Sequence, residues 1–426
     1  MNINFIYKTF ASLKHENFKQ FFIGQSISLI GSWMQITALS WLIYDMTGSR
    51  LLLGLVSALS ALPMLFLSVL GGVFADKYSK KKLLIATQVS SMVLSFVLAI
   101  LVIFNLVEIW HIITLAAISG IIFAIDLPVR QSFYIDIVGK KDLMNAIALN
   151  SSMVNLARIF GPALAGIIMV KFGIVWCFIL NTFSYLAVLQ ALYKIKLPEI
   201  QIKRSIESTR EYIATGFRYV KNNRLIFDLM ILMVVVGIFG WSYSILFPVM
   251  AKDIFHVGEK GYAALVSAGG IGALSGALLI AYLGDSSQKR GLVNSGVYIM
   301  SLSLILLALC KIYWLGLVFV ALAGFGSLVY FNATTTIIQS SVEDSVRGRV
   351  MGIWALIFGG TAPIGSLYIG VAAEYLRIPA TLIISAVICT IAAIALAIFL
   401  QPGETEQNAP GIAEEIPEEK KETVTV

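Results

Sequence analysis

The stretch Gly71-Gly72-Val73-Phe74-Ala75-Asp76-Lys77-Tyr78-Ser79-Lys80-Lys81 stands between two long apolar runs, at about 51–75 and 83–106. It contains two small residues, one acid and then a cluster of bases. Glycine at 72 lets the end of one helix approach a neighbour closely. The carboxylate of Asp76 can face the positive N-terminus of another helix. Lys77, Lys80, Lys81 and Lys82 hold the loop on the cytoplasmic side of a membrane.

Outward from this loop the same alternation continues. Apolar runs lie at about 18–45, 51–75, 83–106, 110–138, 146–170 and 174–194, and again at about 225–250, 260–284, 292–311, 314–340, 349–372 and 379–400. The chain is 58% hydrophobic and 13% charged, against roughly 45–50% and 25% in a soluble domain. Lipid is therefore its solvent. A spanning helix takes about 20 apolar residues, so twelve such helices use most of the 426 residues. The expected fold is an all-α membrane protein of two six-helix bundles, 1–194 and 225–400. A cytoplasmic central loop at 195–224 joins them, and a disordered acidic tail follows at 401–426. The first run is too long for the apolar region of a signal peptide and no small-residue cleavage site follows it, which makes it a retained helix.

Charge fixes the orientation. With the N-terminus inside, 24 of the 31 basic residues fall in cytoplasmic segments. The outer loops hold only Arg50, Lys171, Lys252, Lys260, Lys311 and Arg377. This positive-inside bias puts both termini in the cytoplasm. It accounts for the net charge of +7 without nucleic acid. Cys177, Cys310 and Cys389 lie in apolar runs without paired spacing, and His15, His111 and His256 are far apart. Neither a disulfide framework nor a metal site is implied, and no cofactor is called for.

The two halves repeat weakly. Asp76 with its lysines corresponds to Asp285 with Lys289 and Arg290, 209 residues on; Gly161-Pro162 corresponds to Ala362-Pro363, 201 residues on. Duplicated bundles of this kind characterise secondary transporters, whose substrate site lies between the halves near the midplane.

The 71–81 stretch resembles the loop 2–3 signature of the major facilitator superfamily, G-x-x-x-D-[RK]-x-x-x-[RK]-[RK]. The resemblance implies that Gly72, Asp76, Lys77 and Lys80 gate the cytoplasmic side, with Asp76 against the start of the eleventh helix near Arg347 and Arg349. Asp285 is the degraded second copy, since Ala281 replaces the glycine. Ala157-Arg158-Ile159-Phe160-Gly161-Pro162-Ala163-Leu164-Ala165-Gly166 looks like the end of the antiporter signature of drug–proton exporters. There Pro162 kinks the helix, and Gly161 and Gly166 allow close packing against the eighth helix. Segment 124–166 and the Arg347-Gly348-Arg349-Val350-Met351-Gly352 turn before the eleventh run resemble a narrower branch, the bacterial exporters related to enterobactin exporters and macrolide efflux proteins.

Ionisable residues inside the membrane are functional candidates. Arg158 lies midway along the fifth run, on a stripe with Ser151, Asn155 and Pro162. Asp126 and Arg130 lie on a stripe of the fourth run, with Asp136 nearer its inner end. Arg158 either contacts an anionic substrate or pairs with Asp126; Asp126 either carries a proton or is held ionised by Arg130. The first run carries Gln25, Ser28, Ser32 and Gln35. Such polar stripes point to the bundle interior. The resemblance implies a substrate cavity along the first, seventh and tenth helices, with Gln25, Ser32, Trp33, Gln35, Asn155, Trp241 and Tyr330 as its candidates. Trp41, at a helix end, reads as an interfacial belt residue.

These features lead to a monomeric secondary transporter in a bacterial inner membrane. It is expected to export an amphiphilic small molecule (drug, antibiotic or siderophore) by alternating access, with protons as coupling ion. The alternative is a lipid or lysophospholipid flippase, or an importer, on the same fold. There is no Walker A loop and no catalytic constellation, so the chain is not read as an enzyme.

Overall fold

The computed structural model of the chain describes residues 11–195, 209–283 and 289–399. Within these ranges the side chains of 68–73, 75, 76, 209–215, 289, 290, 344, 345 and 399 are outside the description, as are Asp285 and the 401–426 tail. The described residues are helical almost throughout, because a backbone in hydrocarbon must satisfy its hydrogen bonds within its own segment. Ten helices are long and apolar enough to cross a membrane. They comprise α1 (Glu16–Thr47), α2 (Arg50–Lys77), α3 (Lys80–Ile103), a 64-residue helix Ile109–Phe172, α6 (Val175–Lys194), α7 (Arg224–Ile254), α8 (Gly258–Leu283), α9 (Lys289–Leu309), α10 (Tyr313–Ser341) and a 56-residue helix Asp344–Phe399.

The two longest are interrupted. Gly139, at φ 71° and ψ 174°, breaks the first into α4 (109–138) and α5 (140–172). This is a conformation open to a residue without Cβ. Arg377, at φ 66° and ψ 160°, breaks the second into α11 (344–376) and α12 (378–399). Each arm is long enough for a crossing of its own. At the α1–α2 turn, Gly48 (φ 62°) closes α1 and the Ser49 hydroxyl accepts the Leu52 N–H at 3.3 Å. The end of the bundle with this turn is called the upper end, and the end with the α2–α3 turn the lower.

Three boundaries differ from the sequence expectation. The Arg347–Gly352 segment is not a turn but lies within the first turns of α11, since helix begins at Asp344. The seventh run is not one regular helix: after Val235 it passes through wide and tight turns to Ile254, around Pro248, which cannot donate to the ladder. The central loop contains a helix, Thr209–Asn222. It packs on α11, where a methyl at Gly216 would lie 3.2 Å from Arg349 Cβ.

Large apolar side chains such as Phe66 (65% exposed), Leu278 (61%) and Ile391 (61%) face outward, as expected where lipid is the solvent. Between helices lipid offers no hydrophobic drive, so close backbone approach matters. A methyl at Gly54 of α2 would come within 2.8 Å of Gly370 Cα on α11, and one at Gly370 within 2.9 Å of Gly54 Cα. On the opposite flank, a methyl at Gly166 of α5 would meet Ala263 Cβ of α8 at 2.5 Å, and one at Gly270 would meet Ile159 Cγ1 at 2.9 Å. Two small-residue seams thus join the halves.

Gly54→Val should destabilise the α2–α11 seam by about 1–3 kcal/mol, the usual cost of overpacking. Gly352→Ala, at a position with nothing within 4 Å, should not. Melting temperatures of the purified protein in one detergent check this, and equal values for the two variants would mean that the seam yields freely.

Candidate functional site

Polar groups gather in four places. The first is buried in the first half. Asp126 and Arg130, one helical turn apart on α4, form an ion pair, 3% and 9% exposed. Thr87 Oγ1 and Gln88 Nε2 of α3 donate to Asp126 Oδ1 at 2.6 and 2.9 Å. One turn further on, the Tyr134 hydroxyl donates to Asn150 Oδ1 of α5 at 2.6 Å. Asp126 therefore does not pair with Arg158; a partner on its own helix face reaches it first.

The second lies at the lower end. Lys80 Nζ is 2.8 Å from Asp136 Oδ2 and donates to Ser132 O at 3.3 Å, tying the α2–α3 turn to α4. Lys81 donates to Ile195 O at 2.7 Å. Arg347 donates to the Gln339 and Val342 carbonyls at 3.0 and 3.1 Å, satisfying the C-terminus of α10. Asp76 and Lys77 occupy the last turn of α2, Lys77 exposed. The Asp76 side chain and the surroundings of Gly72 lie outside the described residues, as does Asp285.

The third lies between the halves. The Arg158 guanidinium of α5 stands 5.7 Å from the centroid of the Trp33 ring of α1, and Tyr243 of α7 is its electrostatic neighbour. A methyl on Gly161 would meet Trp33 Cβ at 2.5 Å, so this glycine admits the ring beside the arginine. Pro162 is buried within α5. Asn155 is half-exposed one turn from Arg158 and donates to Ser151 O at 2.9 Å. Ser267 of α8 donates to Ile159 O at 3.2 Å, holding the α5 backbone at this level.

Not every cavity candidate belongs there. Gln35 Oε1 accepts from Ser95 Oγ of α3 at 2.6 Å and Asn181 Nδ2 of α6 at 2.7 Å. Gln25 is 3% exposed, and Ser32 donates to Ser28 O within α1. Gln35 thus fastens α1 to α3 and α6 within the first bundle and does not line a cavity between the halves; a polar stripe marks an interior without saying which. Tyr330 is 2% exposed in the apolar core, against Gly296 of α9. Trp241 packs on Phe331 at 5.7 Å and on Phe358 of α11 at 5.6 Å, and Phe331 also meets Trp354 at 5.7 Å. Trp354 and Phe358 were not singled out in the sequence, although they recur at helical spacing with Phe331 opposite.

The fourth place, at the upper end, was also missed. The Tyr44 hydroxyl donates to Asp253, Lys252 Nζ lies 2.6 Å from Asp45 Oδ1, and Arg50 Nη2 lies 3.9 Å from Asp253 Oδ2. Glu374 of α11 accepts the Arg50 N–H at 2.9 Å. Trp41 is 6% exposed and stacked on Tyr262 of α8, with centroids 5.8 Å apart. It is an interface residue between the halves, not a belt residue.

The sequence profile described as transmembrane secretion effector, a major facilitator family, matches residues 7–424. The chain belongs to this family. It is 28% identical over 370 residues to the staphyloferrin A transporter of Staphylococcus aureus, covering 85% of this chain and 91% of that one. It is 22% identical to macrolide efflux protein A of Streptococcus pyogenes (83% and 89%) and 24% identical to the enterobactin exporter EntS of Shigella flexneri (80% and 81%). Among solved structures it resembles the nucleoside transporter NupG (a single-residue mutant), with TM-score 0.74, 14% identity and coverage of 90% and 100%. It also resembles a bacterial Spinster homologue in an inward-facing, unoccupied conformation, with TM-score 0.66, 15% identity and coverage of 90% and 94%. The fold is thereby the major facilitator fold, and the chain is a multi-pass membrane transporter of small molecules.

In a major facilitator transporter the two halves rock about the substrate site. The upper-end network joins α1 and α2 to α7 and α11 across the two halves. Asp253→Ala removes the acceptor of Tyr44 and the ionic neighbour of Arg50 and should shift the population toward opening at this end by about 1–3 kcal/mol. Spin labels at the upper ends of α1 and α7, read by pulsed dipolar spectroscopy, should report a longer distance. An unaltered distribution would remove this network from the gate.

Proposed function

We propose that the chain exports amphiphilic small molecules of the drug, antibiotic or siderophore class across a bacterial cytoplasmic membrane, as a proton-coupled monomer working by alternating access. The observation that carries the reading is a half-buried Arg158 between the halves, beneath hydrogen bonds and ion pairs that link the halves at the upper end. The names of the relatives support export, as does the close approach of Gly166 to Ala263 of α8. The distribution of basic residues favours a cytoplasmic lower end and cytoplasmic termini. Uptake of a fluorescent amphiphile into inside-out vesicles, collapsed by dissipating the proton gradient, is the direct test; gradient-independent uptake would remove proton coupling.

Asp126 is the candidate proton carrier. Burial with Arg130, Thr87 and Gln88 gives it a shielded place in which protonation would release the guanidinium. Asp126→Asn should abolish gradient-driven accumulation while leaving downhill movement. It should also cost about 3–5 kcal/mol of stability, because Arg130 is left unpaired. Adding Arg130→Gln should restore part of the stability and none of the coupling. Proton-driven accumulation in Asp126→Asn vesicles would assign the pair a purely structural role.

The lower gate, in this reading, rests on Asp76 meeting the positive first turn of α11, which begins at Asp344. A helix-terminus interaction is worth about 0.3–2 kcal/mol. Asp76→Asn should therefore keep expression and slow transport several-fold. Transport at the wild-type rate would leave the loop with a topological role alone.

A further inference from the structure

We propose that the transported molecule is anionic and that Arg158 reads its negative charge inside the membrane, with the Trp33 ring beside it. This rests on the export reading above and narrows its substrate class.

Arg158 lies about 14 residues from the end of α5 at Phe172, or ~21 Å along the helix, so it cannot snorkel to the upper surface. A cation at that depth needs compensation. Among the described residues of its half, Asp126 is engaged with Arg130, Asp136 with Lys80, Asp142 with His15 and Asp45 with Lys252. The ring face of Trp33 supplies partial compensation. A guanidinium flanked by aromatic rings and half-exposed between two mobile halves fits an oxyanion carried on an apolar or aromatic body. Carboxylate and phosphate are the oxyanions that its planar fork matches. Phe331, Trp241 and Phe358 lie on the facing half, within 6 Å of one another, where such a body can rest.

A second region points the same way. A cavity of about 520 Å³ at the upper end is lined by Arg50, His256, Lys311 and Arg377, with Asp253 as its acid. Three of the six basic residues on the side that topology depletes of bases line this one space. Arg50 is held by Asp253 and by the Ala373 carbonyl at 3.1 Å. Parting the halves would expose it to a departing anion. An anionic substrate thus meets positive charge midway and again at the exit.

The test uses two xanthene dyes of opposite charge, 5-carboxyfluorescein and rhodamine 6G. Binding is read by fluorescence anisotropy on the full chain in phosphatidylcholine nanodiscs, and transport by accumulation in inside-out vesicles. Arg158→Gln should weaken carboxyfluorescein binding by about ten- to a hundredfold, the effect of losing a charged hydrogen bond. Arg158→Lys should weaken it far less. Lys221→Gln, a surface control on the 209–222 helix, should not change it, and rhodamine binding should not fall in any variant. Equal loss of both dyes in Arg158→Gln, or undiminished carboxyfluorescein binding, would overturn the proposal. Carboxyfluorescein that binds through Arg158 without accumulating would sustain it while removing the export reading. Rhodamine accumulation with no anion binding would do the reverse. Displacement of bound dye by trimesate marks a soluble polycarboxylate as the preferred anion. Displacement by dihexanoyl phosphatidylglycerol marks a lipid headgroup. Each keeps the anion at Arg158, and displacement by neither overturns it.

Discussion

A charged side chain at bilayer depth costs at least about 2.5–3.5 kcal/mol even on the most lenient insertion scales, and this cost organises the polar architecture of the chain. The cost is met in two ways. Asp126 and Arg130 neutralise one another on a single helix face, with Thr87 and Gln88 supplying further hydrogen bonds. Among the described residues, Arg158 is met by the ring face of Trp33 and by no acid. The same first half thus holds one ion pair closed on itself and one cation with no acid beside it among the described residues.

Much of the fold was legible because the membrane imposes so few solutions. Apolar runs of spanning length, a charge-poor composition and a loop with one acid among lysines left little besides paired helical bundles. What the sequence hid were the places where helical geometry departs from the average. Gly139 and Arg377 reverse the chain without a loop, so two pairs of runs that looked separate are continuous but for one residue. The second half of α7 unwinds around Pro248, and hydropathy has no term for that.

The site was legible by depth and not by direction. Arg158, Asp126 and Arg130 stood out because charge in an apolar run is rare. Which groups they would meet was not readable, since a stripe at helical spacing identifies an inward face but not the neighbour that covers it. Gln35 shows the difficulty: its stripe is polar and interior, yet its carbonyl oxygen is spent on Ser95 and Asn181 within one bundle. Tyr330 shows the converse, an amphipathic ring in a cavity-lining helix of the family that packs into the core.

The upper closure was in principle derivable from the repeat. The loop acids Asp76 and Asp285 recur at an offset of 209, and the same shift carries Tyr44 onto Asp253. Two bundles related by an approximate two-fold axis bring the corresponding ends of their first helices together on that axis. Residues separated by the repeat length near those ends are therefore candidates to touch. Tyr44 with Asp253, and Asp45 with Lys252 at an offset of 207, meet that condition, and their chemistry is complementary where it had no need to be. A self-related contact of this kind is strained by any rotation of one half against the other. That geometry suits a latch better than a permanent weld, because every bond in it lies across the surface that must part.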